Sequence, residues 1–91
     1  MNIHPSGTRI GQYTIAGHPL MGGMGIVYIC FDHEENRPVA LKTFKSEFLP
    51  DRQARDRFLR EGTAWVDLGA HPHIVRCYRV LRIDPEVFLV L

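Results

Sequence analysis

A cluster of glycines is the first feature of the sequence that could take part in chemistry. Gly22, Gly23 and Gly25 stand directly before the strand-like run IVYICF, although glycine weakens a strand and gives a core no side chain to pack. In a hairpin, such glycines permit positive φ angles and leave backbone N–H groups uncovered, so phosphate oxygens could approach them. The cluster lies between two predicted strands, whereas a P-loop or a dinucleotide fold places it between a strand and a helix. Taken alone, an ordinary glycine-rich turn is therefore the simpler interpretation.

A lysine in the next predicted strand is the second candidate. In the segment VALKTF, the alternation of side chains places Ala40, Lys42 and Phe44 on one face, so the lysine has two apolar neighbours. A lysine in a strand usually faces solvent, and for Lys42 considered alone that interpretation stays open.

A glutamate on the following helix changes this balance. Phe58, Glu61, Trp65 and Leu68 recur at helical spacing, which predicts that the carboxylate lies on the apolar stripe of the helix. A charge on that stripe is costly unless it is paired, and Lys42 lies on the sheet that the helix should cover. The two charges predict an internal ion pair, although Glu61 could instead point outwards at the edge of the stripe. A buried pair is better evidence for a functional site than for stability.

Three predicted strands precede the helix and position the glycines and the lysine. A weak strand signal covers residues 13–21, where Gly17 and Pro19 interrupt it, and clearer signals follow at residues 26–31 and 39–44. A polar turn joins the last two segments, so they predict an antiparallel hairpin, and the glycine cluster joins the first two.

The helix and two further strands complete the predicted order β-β-β-α-β-β. Pro50 and Asp51 suit the start of a helix and Gly69 suits its end. Residues 74–83 alternate well enough for a strand, and residues 87–91 read as a short buried strand. Because the chain stops inside that apolar strand, we interpret it as part of a longer protein.

The overall composition limits the classes of function. With 91 residues the chain fits one small domain, and a net charge of +1 does not favour nucleic acid or an anionic membrane as the main partner. Apolar runs fall short of the roughly 20 residues that a membrane helix needs, and the N-terminus lacks a signal-peptide core. Cys30 and Cys77 have no metal-type spacing, so we predict that both are reduced and buried in a cytoplasmic protein.

Together these segments resemble the N-terminal lobe of a protein kinase, in particular the bacterial Hanks-type Ser/Thr kinases. GGMGIVY is similar to that family's nucleotide lid, VALK to its lysine motif and RFLRE to the segment that carries the helix glutamate. HPHIV is similar to the turn after the helix, and VFLVL to the strand that leads to the hinge. The resemblance covers residues 13–91 and leaves residues 1–12 as a flexible lead-in. It implies an α+β fold in which one helix packs on a five-stranded antiparallel sheet, cut before the hinge and the large lobe.

The resemblance also implies a role for each residue of the lid. Gly22, Gly23 and Gly25 would cover the phosphates of ATP with their backbone N–H groups, and Met24 at the tip of the lid would also contact the nucleotide.

Other members of the implied ATP site lie beyond the lid. Val27 and Ala40 would sandwich the adenine, and Leu91 would be the gatekeeper beside it. Lys42 would hold the α- and β-phosphates, and Glu61 would position that lysine.

The resemblance implies a parent enzyme that transfers the γ-phosphate of ATP, with Mg²⁺, to serine or threonine hydroxyls of proteins. Neither an HRD nor a DFG motif occurs in the 91 residues, so we expect the Mg²⁺ ligands outside this chain and no metal ligand within it. Protein substrate would bind through the missing large lobe, and the fragment alone should be inactive. Its uncovered apolar surface predicts self-association of the isolated lobe.

One departure from the family's pattern leaves an alternative function open. Leu20 stands where the lid usually opens with a further glycine, and Pro19 stands where an apolar residue normally roofs the adenine. A shift of one residue would let Leu20 form the roof. The alternative is therefore a pseudokinase or nucleotide-sensing module that binds without phosphoryl transfer, and a purely structural interaction domain is the third interpretation.

Overall fold

A curled antiparallel sheet and a helix packed on it form the described part of the chain. The structure, a computed structural model, describes residues 3–22, 25–44, 51–83 and 86–91. Within these ranges, the strands are β1 (Arg9–Ile10), β2 (Tyr13–Ile15), β3 (Leu20–Met21), β4 (Gly25–Asp32), β5 (Arg37–Phe44), β6 (Arg79–Ile83) and β7 (Glu86–Val90), and the helix is α1 (Arg52–Leu68). The strands follow the order β1-β2-β4-β5-β7-β6, and β3 pairs with β4 beside this path.

Among the described residues the sheet has seven strands, so the prediction of five was wrong. The segment 13–21, predicted as one strand, is divided into β2 and β3 by Gly17, whose φ is 76°. Strand β1 arises within the predicted lead-in, because a turn at Gly11, with φ at 57°, folds Ile10 back against Tyr13. The sheet therefore begins before the predicted boundary at residue 13.

The ends of α1 are where the sequence predicts them. The side chain of Asp51 accepts a hydrogen bond from the N–H of Ala54 at 2.8 Å and so satisfies one of the free donors of the first turn. At the other end, Gly69 has a φ of 65° and donates its N–H to the carbonyl of Val66.

The sheet has two faces with different partners. On one, the core face, the side chains of β1 and β2 meet those of β4, β5 and β7, which shows that the sheet curls on itself; its buried members are Ile10, Tyr13, Ile15, Ile26, Tyr28, Cys30, Val39, Leu41, Phe88 and Val90. The opposite face, the helix face, packs against α1 through a second cluster built on Phe58, Cys77, Val87 and Leu89. The alternating burial along β4 follows from this division.

A buried carboxylate closes the β4–β5 hairpin. Asp32, only 2% exposed, accepts hydrogen bonds on one oxygen from the N–H groups of Glu34 and Glu35 and from the side chain of Gln12. Burial acts to raise the pKa of Asp32. The hydrogen bonds, with that from Glu35 the largest, and the nearby Arg79 charge lower the pKa more, so it lies below its ordinary value.

We expect Asp32→Asn to destabilise the chain by about 2 kcal/mol at neutral pH, since hydrogen bonds to a buried charged oxygen become weaker bonds to a neutral amide oxygen. Because the folded-state pKa is lowered, the carboxylate stabilises the fold above its unfolded pKa of about 3.9 and ceases to do so as pH falls through the folded value. Urea unfolding at pH 7 and pH 3 measures this: the difference between wild type and variant should shrink at pH 3. Glu34→Gln, in the same turn but exposed, is the control. A difference independent of pH would contradict the assignment.

Candidate functional site

Four of the predicted site residues lie on the helix face of three adjacent strands. Val27 of β4 is directly opposite Lys42 of β5, which is opposite Leu89 of β7. Ala40 and Leu91 exchange two backbone hydrogen bonds, of 3.2 and 2.8 Å, and so are also opposite each other. Val27, Ala40, Lys42 and Leu91 are all half-buried. An apolar surface with one cation at its side therefore remains accessible.

A glycine lies beside the lysine at the edge of this surface. Gly25 is opposite Phe44, and a Cβ atom added to it would lie 3.3 Å from the carbonyl oxygen of Thr43 and 3.9 Å from Cε of Lys42. The first distance is tighter than an ordinary contact, and the second is an ordinary van der Waals contact. The absence of a side chain at Gly25 thus lets the backbones of β4 and β5 pair closely here, with the Lys42 stem beside them.

The described part of the glycine cluster forms a hairpin connection. The N–H of Gly22 donates to the carbonyl of Gly25 at 2.9 Å, so in this conformation that amide is used within the protein. The predicted contacts Gly23 and Met24 lie outside the described residues.

Leu20 lies at the start of the hairpin, opposite Val27. Partners that are directly opposite in an antiparallel pair point to the same face, so Leu20 shares the helix face with Val27. Its side chain is 60% exposed. The position where a further glycine was expected therefore carries an exposed apolar side chain beside the predicted adenine surface.

Lys42 and Glu61 do not form an ion pair in this structure. Glu61 is exposed, and the buried side of α1 is formed by Phe58 and Gly62. The predicted stripe was wrong at Glu61 and also at Leu68, which is 56% exposed. Glu61 instead points outwards at the edge of the stripe, which is the alternative that the sequence left open. Its role as the partner of Lys42 stays a prediction.

Gly62 is the residue that the sequence reasoning missed. A Cβ atom added to it would lie 2.7 Å from both Cγ2 of Val80 and Cδ2 of Leu89, closer than real Cβ contacts come. The backbone of α1 therefore rests directly on β6 and β7. The sequence signal that could have identified it is the glycine itself. A glycine inside a helix lowers helix stability by about 1 kcal/mol relative to alanine, so its presence indicates that the helix backbone lies close to a neighbouring element.

Aromatic contacts hold α1 beside the lysine strand. The rings of Phe44 and Phe58 meet edge to face with their centres 5.2 Å apart, which joins β5 to the helix. Trp65 is half-buried, and its indole Nε1–H donates to the carbonyl of Val75 at 2.8 Å, which holds the segment after the helix against α1.

The two cysteines take no part in this surface. Cys30 and Cys77 are buried and free, as the sequence predicts. Burial raises the pKa of the Cys30 thiol to about 11 and also raises that of Cys77, so both stay protonated at neutral pH.

Comparisons with known proteins find relatives among serine/threonine-protein kinases. The chain is similar to serine/threonine-protein kinase PknK of Mycobacterium tuberculosis, with 42% identity over 59 residues, or 65% of the chain. It is also similar to serine/threonine-protein kinase PknD of Chlamydia trachomatis, with 42% identity over 70 residues, or 77% of the chain. The chain spans only 5% and 7% of the lengths of these two relatives. No family model matches.

Among solved structures, the chain is similar to the PknI kinase domain of Mycobacterium tuberculosis. The TM-score is 0.80 at 27% identity, and the match covers 97% of this chain and 35% of the other. In the part of the chain that the structure describes, no helix has the length and apolar character needed to cross a membrane.

Proposed function

Because the chain belongs to the Hanks-type Ser/Thr protein kinases and corresponds to their N-terminal lobe, we propose that its helix face binds ATP. We further propose that the longer protein transfers the γ-phosphate to serine or threonine hydroxyls. The observation that carries the proposal is the position of Val27, Ala40, Lys42 and Leu91 on one half-buried face of three adjacent strands. An apolar surface with a few well-placed polar groups is the usual form of a nucleotide site.

In this proposal each part of the face binds a different part of the nucleotide. Val27 and Ala40 offer the apolar surface for the adenine, and Leu91 borders it. Lys42 supplies a positive charge for the phosphates, and its stem lies beside Gly25 at the end of the glycine hairpin. Since phosphoryl transfer depends mainly on positioning and charge stabilisation, this grip is a substantial part of the chemistry.

The metal that accompanies ATP is assigned to the rest of the protein. Among the described residues, no group of three or more His, Cys, Asp and Glu side chains could hold a metal ion. Mg²⁺, when bound, neutralises phosphate charge and aligns the transferred group. We propose that its ligands and the group that orients the attacking hydroxyl lie in the large lobe, so that the lobe alone binds weakly and does not catalyse.

Nucleotide binding without transfer is the second candidate, and two observations favour it. Glu61 is exposed and forms no ion pair with Lys42, and Leu20 stands at the start of the lid, where the family usually has a further glycine. A structure of the longer protein with ATP separates the candidates. Glu61 still pointing away from the sheet in that state would remove it from the mechanism.

We expect the isolated chain to bind Mg-ATP only in the millimolar range, about 4 kcal/mol, because it offers one wall of the cleft. NMR titration should shift the amides of Val27, Ala40 and Leu91 and the side chain of Lys42. Inorganic triphosphate is the control and should shift Lys42 but leave Ala40 and Leu91 in place. Shifts confined to the core face would contradict the site. Micromolar binding would contradict the argument that the cleft needs both lobes.

A further inference from the structure

The guanidinium groups of two arginines lie over the ring of a partly exposed tyrosine beside the end of β7. Cζ of Arg37 lies 4.2 Å from the centre of the Tyr78 ring, and Cζ of Arg76 lies 5.0 Å from the same point. The tyrosine is held there by its backbone N–H, which donates to the carbonyl of Val90 at 2.8 Å. Tyr78 is 38% exposed, so the cluster can be reached from solvent.

Neither Arg37 nor Arg76 forms an ion pair with an acidic side chain in the described part of the chain. Nε of Arg37 is buried and has no hydrogen-bond partner, which is costly for a cationic donor. Asp32 is opposite Arg37 across the hairpin, but the oxygen that accepts the Gln12 and backbone hydrogen bonds is engaged, and it forms no ion pair with that arginine.

A third arginine adds to the positive field without competing for a ligand. Nε of Arg79 donates to the hydroxyl of Tyr13 at 2.8 Å, and its guanidinium lies over the Tyr13 ring at 5.4 Å. Arg79 is therefore engaged on the core face, whereas Arg37 and Arg76 form no ion pair with a described acid.

We propose that Arg37, Arg76 and the Tyr78 hydroxyl form a binding site for an oxyanion, a carboxylate or a phosphate group. Guanidinium forks bind both groups through pairs of charge-assisted hydrogen bonds, and a phenol can donate one more. The stacking on the ring orders both arginines before the anion arrives, which lowers the entropy lost on binding. The site is separate from the ATP surface, because the two share no side chain.

The test is a titration of the Arg Nε–Hε signals of the ¹⁵N-labelled chain with phosphate and, separately, with acetate, against chloride at equal ionic strength. We expect saturable shifts at Arg37 and Arg76 and none at Arg57, an exposed arginine of α1. A preference for phosphate or for acetate identifies which group the site takes. Saturable shifts in chloride, or similar shifts at Arg57, would overturn the proposal.

Two variants separate a built site from general attraction to positive charge. Arg76 is exposed, so Arg76→Gln should leave the fold intact and weaken binding about tenfold, the scale of one charge-assisted hydrogen bond. Tyr78→Phe keeps the ring under the arginines but removes the hydroxyl, and should cause a smaller loss. Arg57→Gln is the matched control and should have no effect. Binding that survives Arg76→Gln unchanged would show that the cluster is not the site.

Discussion

Replacing Lys42 by Met in the longer protein is expected to abolish most phosphoryl transfer while the fold stays nearly intact. Met keeps an apolar stem that can lie beside Gly25 but lacks the charge proposed to hold the phosphates. Removing one group that stabilises developing charge typically lowers a rate by about 100-fold or more. Since Lys42 is only half-buried and pairs with no described acid, its loss should cost little stability. Initial rates of transfer to a protein substrate and urea unfolding of the same preparation measure the two effects.

The matched control is Lys45→Met, which changes the chain's other lysine. It should leave the rate close to that of wild type. If Lys42→Met also had a rate near wild type, Lys42 would have no part in the mechanism. If wild type itself bound Mg-ATP but showed no transfer, the binding-only function would be the better one.

The parts of the fold that were predicted correctly depend on local chemistry. Asp51 and Gly69 mark the ends of α1 because capping involves only residues within one turn. The β4–β5 hairpin was predictable because two strands rich in β-branched residues flank a short polar turn.

The number of strands was not predictable to the same degree. Strands β1 and β3 are two residues long each, too short for any periodic pattern to appear. Their existence depends on the turns at Gly11 and Gly17, whose positive φ angles a glycine permits but does not require.

In the candidate site, too, some side-chain positions could be predicted from the sequence and others could not. Ala40 and Lys42 could be placed on one face of their strand because side chains alternate with a period of two. Val27 is on the neighbouring strand, and its place in the site followed only from the family resemblance. The direction in which the Glu61 side chain points could not be predicted, because a helix can rotate about its axis and still bury an apolar stripe. Here the rotation depends on Gly62, which has no side chain and is therefore invisible to a hydrophobic pattern.

Gly62→Ala is therefore expected to move α1 away from β6 and β7 and to reduce stability. The new methyl group would lie 2.7 Å from side-chain atoms of both Val80 and Leu89. Val80 is β-branched and has little freedom to turn aside, so the helix must shift. Overpacking of this kind costs about 1–3 kcal/mol. Against this stands the higher helix propensity of alanine, worth about 1 kcal/mol.

The control exchanges glycine and alanine at an exposed position of α1, away from the packed face. Ala64 is exposed on α1, so Ala64→Gly measures the propensity difference without a packing change. Unfolding in urea should show that Gly62→Ala fails to gain the stability that Ala64→Gly loses, and the shortfall is the cost of packing. Methyl NMR signals of Val80 and Leu89 should shift in Gly62→Ala and stay in place in Ala64→Gly. A full gain with unmoved methyl signals would contradict the close contact of α1 with the sheet. Because successive residues of a helix are about 100° apart around its axis, the orientation of Glu61 would then have to be explained without Gly62.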